Sequence, residues 1–178
     1  MLIIRPARWS DDLALLAGVE FSFTTDRIYR VIRDEFSFRL VEERVDPPLY
    51  KDYGSVTDSD YRLPEMDCVL VAEQEGELAG FATAEYEEWS RRLAVRHLYV
   101  AVRHRRSGIG RALLDHLDSF ARSVGARCLW LDTQNTNLPA IQFYRRVGFH
   151  LCGLDESFND PAESGRDEVA LFFVRELT

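Results

Sequence analysis

The run Arg105-Arg106-Ser107-Gly108-Ile109-Gly110 stands between the apolar stretch Leu98-Tyr99-Val100-Ala101-Val102 and the amphipathic stretch Arg111 to Val124. A strand that feeds a glycine loop opening a helix constrains this chain more than any other feature. Glycines at 108 and 110 remove Cβ atoms that would block close backbone approach, and the unpaired N–H groups of a helix start present partial positive charge to an anion. Arg103, Arg105 and Arg106 add formal charge beside the loop. The arrangement suits a pyrophosphate. It is not the nucleotide loop that ends in Gly-Lys-Ser/Thr, nor the three-glycine dinucleotide fingerprint with its downstream acid. Taken alone, a glycine pair at such a junction also reads as a tight turn.

A second motif follows. Leu129-Trp130-Leu131-Asp132-Thr133 reads as a strand, Gln134-Asn135-Thr136 as a polar turn, and Asn137 as the cap of a helix that has Pro139 in its first turn and stops at Gly148. The ordered pair of motifs resembles the GNAT acetyltransferase superfamily. The superfamily pattern Arg/Gln-x-x-Gly-x-Gly/Ala falls on Arg105, Gly108 and Gly110, and Asn-x-x-Ala-x-x-Phe-Tyr-x-x-x-Gly-Phe falls on Asn137, Ala140, Phe143, Tyr144, Gly148 and Phe149. Residues 133 to 155 together with Glu168-Val169-Ala170-Leu171-Phe172 further look like the streptothricin acetyltransferase branch of it.

The resemblance implies an α+β fold, a mixed, mostly antiparallel sheet splayed in its middle and flanked by helices, with acetyl-CoA as co-substrate and no metal. The expected CoA site comprises Leu98, Val100, Val102, Arg105, Arg106, Ser107, Gly108, Ile109, Gly110, Arg111, Asn137 and Tyr144. Backbone N–H groups around Leu98 to Val100 would align the pantetheine arm and polarise the acetyl oxygen. Tyr144 is the expected general acid, because a phenol with an ordinary pKa of about 10 is protonated at neutral pH and can supply a departing thiolate. Outside the motif, Phe143 and Tyr144 would read as packing residues of a short helix.

An alkyl amine is almost fully protonated at neutral pH, so some group must also accept a proton. Many superfamily members carry an acid on the strand before the glycine loop, where this chain has Arg96 and His97. Glu85 and Glu87, on one side of an alternating strand, are the first candidates for the base, ahead of His97 and Asp132. Both glutamates also fit a solvated strand end.

With 178 residues and 46% hydrophobic content, the chain has material for one buried core and is expected to form a single domain over residues 1–178. It has no apolar run of membrane-spanning length, and its start lacks the basic and apolar parts of an export signal, so the expected location is cytoplasmic, with no membrane partner. A net charge of −8 argues against broad nucleic-acid binding and favours a cationic, small-molecule amine acceptor. A homodimer is compatible with the sequence, which leaves the oligomeric state open. Cys68, Cys128 and Cys152 lack paired spacing and read as buried thiols, with neither a disulfide framework nor a zinc site indicated.

Along the chain, Leu2 to Arg5 reads as a strand and Ser10-Asp11-Asp12 as a helix start before Leu13, Leu15, Leu16 and Val19. Arg27 to Arg33 and Phe36 to Val45 read as a hairpin turning at Arg33-Asp34-Glu35, although Ile28, Val31 and Ile32 also fit one helix over 26–35. Pro47-Pro48 is expected to end that element, and 49–65 to form a long surface loop. Its Asp52, Asp58, Asp60 and Glu65, flanked by Asp46 and Asp67 and interleaved with Tyr50, Tyr53 and Tyr61, suit a cation as well as they suit a hydrated loop. Cys68–Glu73 and Leu78–Glu87 read as a hairpin about Glu75-Gly76, and Leu93–Val102 as the strand before the glycines. Helix 108–124 places Ile109, Leu113, Leu117, Phe120 and Val124 on one stripe, closed by Gly125. Strand Leu129–Thr133, helix 137–146 and strands Phe149–Leu154 and Val169–Val174 complete the order.

Two functions compete with acetylation of a small, streptothricin-like cationic amine. One is acetylation of a protein N-terminus or lysine, and the other is a non-catalytic acyl-CoA sensor.

Overall fold

The computed structural model describes residues 1–54, 63–160 and 168–177. Backbone contacts divide the chain into two units, each assembled from separated segments: Met1–Ser22, Asp52–Trp130 and Glu176–Thr178 in the first, Phe23–Lys51 and Leu131–Arg175 in the second. The architecture is α+β, with a mixed, mostly antiparallel sheet flanked by helices. No helix among the described residues is long and apolar enough to cross a membrane.

In the first unit the strands run in the order β1 (Leu2–Pro6), β4 (Cys68–Gln74), β5 (Glu77–Glu87), β6 (Arg92–Val100), each antiparallel to the next. Glu75 and Gly76 both have positive φ, which is what a two-residue turn matching the right-handed twist of its strands requires. Leu78 to Ala84 are all buried, so β5 is covered on both faces and reads as a continuous apolar run rather than an alternating one. At Gly80 an added Cβ would stand 2.4 Å from the Tyr99 carbonyl oxygen, so only glycine lets β5 and β6 approach there. Between Thr83 and Ala84 the register slips and leaves Arg96 as the extra residue of a bulge in β6.

One face of these strands is covered by helix α2 (Ile109–Ser123), which packs on β1, β4, β5 and β6 through Ile109, Leu113, Leu114, Leu117 and Ala121. The stripe therefore uses Leu114 and Ala121 where Phe120 and Val124 were expected; these two are only half-buried. A second cluster is built from Leu16 of helix α1 (Trp9–Leu16) together with Phe21, Leu63, Val71, Leu78 and Phe81. The Phe21 and Phe81 rings meet edge to face at 5.5 Å, a geometry their quadrupoles favour. Asp11 and Asp12 lie in the first turn of α1, as expected of a helix start. Arg8 occupies the cap, and the fully buried Asp12 takes a bidentate pair from Arg5 at 2.7 Å and the Arg8 N–H at 2.6 Å, while Arg5 Nε also donates to Glu73 at 2.8 Å. This network locks β1, α1 and β4 together.

The second unit holds the expected hairpin, in longer form: β2 (Ser22–Asp34) and β3 (Ser37–Asp52) turn at Glu35-Phe36 and carry cross-strand pairs Arg27–Glu42 and Arg30–Glu43. Pro47 and Pro48 lie inside β3 instead of ending it. In a two-stranded ribbon each strand has an outer edge whose N–H groups face no ladder, so proline is tolerated. The loop expected over 49–65 shrinks accordingly: residues 49–52 belong to β3, and Leu63–Glu65 form a 3₁₀ turn. Asp58, Asp60 and Tyr61 lie outside the described residues.

Strand β7 (Cys128–Gln134) enters the second unit at Leu131, and there the order is β7, β9 (Ala170–Glu176), β8 (His150–Asp155). Helix α3 (Leu138–Arg146) buries Leu138, Ile141 and Tyr144 and ends at Gly148, whose φ is +94°. Two of the three thiols differ from expectation. Cys128 is buried as expected, Cys68 is half-buried with its pKa pushed up to about 11 by burial, and Cys152 is exposed as the extra residue of a bulge in β8 between Leu151 and Gly153.

Candidate functional site

Strand β6 ends at Val100, two residues sooner than expected, and Val102–His104 wind into a 3₁₀ turn that leads to the glycine loop. Leu98 and Val100 are half-buried and Val102 is exposed. Arg105 folds back to donate from Nε to the Val100 carbonyl at 3.1 Å, and Ser107 Oγ donates to the His104 carbonyl at 2.5 Å, so the loop braces itself through side chains. Arg106 has φ +64° and Gly108 φ +90°. Backbone that alternates handedness in this way turns successive N–H groups into a common concavity. Among the described residues, the N–H groups of Ser107, Gly108, Ile109 and Gly110 have no backbone acceptor.

The dipole of the 15-residue α2 adds to that concavity. A Cβ built at Gly108 would meet nothing within 4 Å, so the space in front of the loop is open. These are the features a pyrophosphate needs: free donors, positive potential and room. Of the expected cationic helpers, Arg103 is paired with Glu77 at 2.8 Å, while Arg106 and Arg111 make no ion pair among the described residues.

Glu85 and Glu87 do share a side of β5, and Arg96 from the bulge reaches both, at 2.9 and 3.2 Å. Glu87 also accepts from Arg92 Nε at 2.5 Å. Burial would raise its pKa, but the two arginines and Ser90 outweigh that and hold the carboxyl below its ordinary range. The register sets Glu85 opposite Ala94 and Glu87 opposite Arg92, four and six residues before Leu98 on β6, roughly 13 and 20 Å along the strand. The structure thus keeps both carboxylates apart from the Leu98–Val100 end. His97 lies closer to that end. Its Nδ1 shares a 2.6 Å hydrogen bond with the buried Thr83 hydroxyl, and burial, with Arg96 beside it, pushes its pKa down to about 4. It is neutral at neutral pH.

Tyr53 and Tyr99, both in the first unit, meet with ring centroids 5.3 Å apart and planes tilted by 56°, so Tyr53 packs inward instead of facing a solvated loop. Asp67 is engaged too, accepting the Tyr86 N–H at 2.7 Å.

In the second unit, Asn137 caps α3 as expected, its Oδ1 accepting from Ala140 N at 3.2 Å. Tyr144 is nearly buried, with ring contacts to Phe143, Phe149 and Phe173 at 5.6, 5.8 and 6.1 Å. Packing on several sides fixes the ring and hence the line along which its phenol points.

Sequence reasoning missed the residue beside Asn137 that organises the turn. Asn135 donates from Nδ2 to the Tyr29 carbonyl at 2.8 Å and accepts the Val169 N–H on Oδ1 at 2.9 Å, while its backbone bonds Tyr29 N and Val169 O. One side chain ties β2, the turn and the entry to β9. The residue preceding Val169, Glu168, was missed as well. Neither carries a local signal, since their partners are distant in sequence.

A family model described as "Acetyltransferase (GNAT) family" matches residues 25–149. A streptothricin acetyltransferase of Streptomyces lavendulae is 40% identical over 152 residues, 82% of this chain and 80% of the relative. Among solved structures, a nourseothricin acetyltransferase superposes with a TM-score of 0.89 at 38% identity, covering 99% of both chains. A protein of Bacillus anthracis str. Ames assigned as a streptothricin acetyltransferase, solved in complex with acetyl coenzyme A, shares the fold with a TM-score of 0.82 at 22% identity over 100% of this chain and 99% of the other.

Proposed function

Because the chain belongs to the GNAT acetyltransferase family, whose members use acetyl-CoA, we propose that it acetylates a primary amine of a small cationic antibiotic of the streptothricin class. The observation that carries this reading is the 38% identity to the nourseothricin acetyltransferase over 99% of both chains. A ribosomal-protein-S18-alanine N-acetyltransferase of Escherichia coli also covers the whole chain, but at 18% identity, so the level of identity rather than the coverage favours the antibiotic acceptor.

The loop fits its co-substrate. The open N–H groups of Ser107 to Gly110 and the dipole of α2 would hold the pyrophosphate, and Arg106 and Arg111 would add charge to it. Once deprotonated, the amine attacks the thioester carbonyl, and the resulting oxyanion is stabilised by strand N–H groups around Leu98 to Val100. When the tetrahedral adduct collapses, the C–S bond breaks and the thiolate takes a proton from the Tyr144 phenol. The ammonium gives one proton to water before the attack, and the second, from the nitrogen of the adduct, passes through water to the Tyr144 oxygen and restores the phenol. Of the two glutamates Glu85 is the less engaged, since its Oε1 makes no hydrogen bond among the described residues, but it stands about 13 Å along the strand from Leu98, so water carries the proton over that distance.

A coupled assay for free CoA thiol tests the reading. Streptothricin should drive acetyl-CoA turnover with a kcat/KM at least tenfold above that of neutral amines and of peptide N-termini. Equal efficiency on all three would refute the acceptor assignment, and no turnover with any amine would favour a CoA sensor.

A further inference from the structure

A buried carboxylate in the second unit is only half satisfied. Glu168 is 9% exposed, and its Oε1 accepts from Lys51 Nζ at 2.5 Å and, more weakly, from the Thr136 hydroxyl at 3.4 Å. Its Oε2 is buried without a hydrogen-bond partner among the described residues. A buried acceptor left without a donor is unfavourable, and more so when it is charged. Buried polar groups are otherwise almost always paired, so an orphaned oxygen marks a place for a donor such as a water or a ligand. The group is also held rigidly, because the next residue, Val169, is bonded by both the side chain and the backbone of Asn135. Thr136, which touches Glu168, directly precedes Asn137, the cap of α3.

We propose that Glu168 is the specificity-determining carboxylate for the acceptor, with Oε2 taking an ammonium or guanidinium group of the cationic substrate while Oε1 keeps Lys51. This rests on the reading that the acceptor is a small cationic amine. The terminal torsion of a glutamate is broad and two-fold, so a small turn of the carboxylate presents either oxygen without disturbing the backbone that Asn135 fixes. Lys51, 25% exposed, marks the more open side of the pair. The Lys51 charge offsets one glutamate charge, so a neutral acceptor gains nothing here, whereas a cation gains a charge-assisted bond in a poorly solvated place.

The test is the variant Glu168→Gln, assayed with streptothricin and with a neutral amine. It should raise KM for streptothricin at least tenfold, leave KM for acetyl-CoA within twofold, and leave the neutral amine unaffected. A purely structural Lys51–Glu168 pair would alter both acceptors alike or only the melting temperature. Should Glu168→Gln fail to fold, Glu168→Asp, which keeps the charge and withdraws it by one methylene, should show a several-fold rise confined to the cationic acceptor. An unchanged streptothricin KM in a folded variant overturns the assignment of Glu168 alone. A parent enzyme that acetylates neutral amines and not streptothricin overturns the functional reading and this assignment with it.

Discussion

Acidification should destabilise the protein through His97 before its carboxylates are affected. His97 has its ring against those of Phe81 and Tyr99, with centroids 6.1 and 6.2 Å away, its Nδ1 bonded to a buried hydroxyl, and Arg96 adjacent in sequence. Its pKa falls from 6.5 to about 4 on folding. A group whose folded pKa is depressed contributes stability that is fully present above the unfolded value and is lost as pH falls toward the folded one. The window therefore runs from pH 6.5 down to about 4. At about pH 5 the unfolded chain binds this proton and the folded chain does not, which costs about 2 kcal/mol relative to about pH 7.5. Asp12 contributes almost nothing in that interval, because its ordinary pKa is 3.8 and folding lowers it further. In urea, about 2 kcal/mol moves the midpoint by roughly 1 M. The assay is equilibrium unfolding of the parent and of His97→Asn at the two pH values, where the asparagine amide retains a polar partner for Thr83. The variant should lose about 2 kcal/mol less than the parent on acidification, because subtraction removes the other histidines. If both lose the same amount, or if the His97 imidazole titrates near 6.5 by NMR, burial does not control this group and the reasoning fails.

The remaining predictions concern the cofactor loop, the acid, the acceptor and the fold. Gly108→Asp puts a charge into the open space before the loop at φ +90°, where side chains are also strained, so acetyl-CoA affinity measured by calorimetry on folded protein should fall at least about tenfold, or about 1.4 kcal/mol. Tyr144→Phe keeps the packed ring and deletes the proton donor, so turnover should drop roughly 10² to 10⁴-fold with acetyl-CoA binding little changed; equal turnover would mean that water protonates the thiolate. Neutralising Asp58 and Asp60 together should weaken the salt dependence of streptothricin kcat/KM, since screening shortens the reach of exposed charges to about 8 Å. Asp12→Ala leaves Arg5 and the Arg8 N–H without their main acceptor and should cost about 3 kcal/mol in urea unfolding; a loss below about 1 kcal/mol would show that the network is dispensable.

What could be read from the sequence was what local chemistry decides. Helices α2 and α3 were legible because each ends at a glycine with positive φ, Gly125 and Gly148, and the Glu75-Gly76 turn because its residues suit the handedness that the hairpin needs. The glycine loop was legible because its donors come from consecutive residues. Misreadings arose where a distant partner changes the meaning of a residue. Pro47 and Pro48 looked like a stop because nothing local reveals that β3 pairs on one side only. Asp12 was legible as part of a helix start, but its main partner, the Arg5 guanidinium across a turn, was not. Glu168 stood in a segment singled out by resemblance, but its role was not legible because Lys51 lies 117 residues away and Thr136 lies 32 away. The separation of Glu85 from Leu98 could not be read either, since it depends on which residues of β5 and β6 stand opposite each other.

The interleaving of the two units decides how this chain can be made and cut. Each unit draws on residues from both early and late in the sequence: the first needs Met1–Ser22 and Glu176–Thr178, the second Phe23–Lys51 and Leu131–Arg175. During synthesis the β2–β3 ribbon emerges long before β9, the strand that lies between β7 and β8, so the second unit waits with its ribbon made and its middle strand missing. Deleting residues from Ala170 onward would remove that strand and leave β7 and β8 with facing unpaired edges, the condition under which sheets capture other chains. A split reporter or a circular permutant built on this scaffold should therefore be opened at the exposed Glu35-Phe36 turn, which lies within one unit and between two strands that remain adjacent.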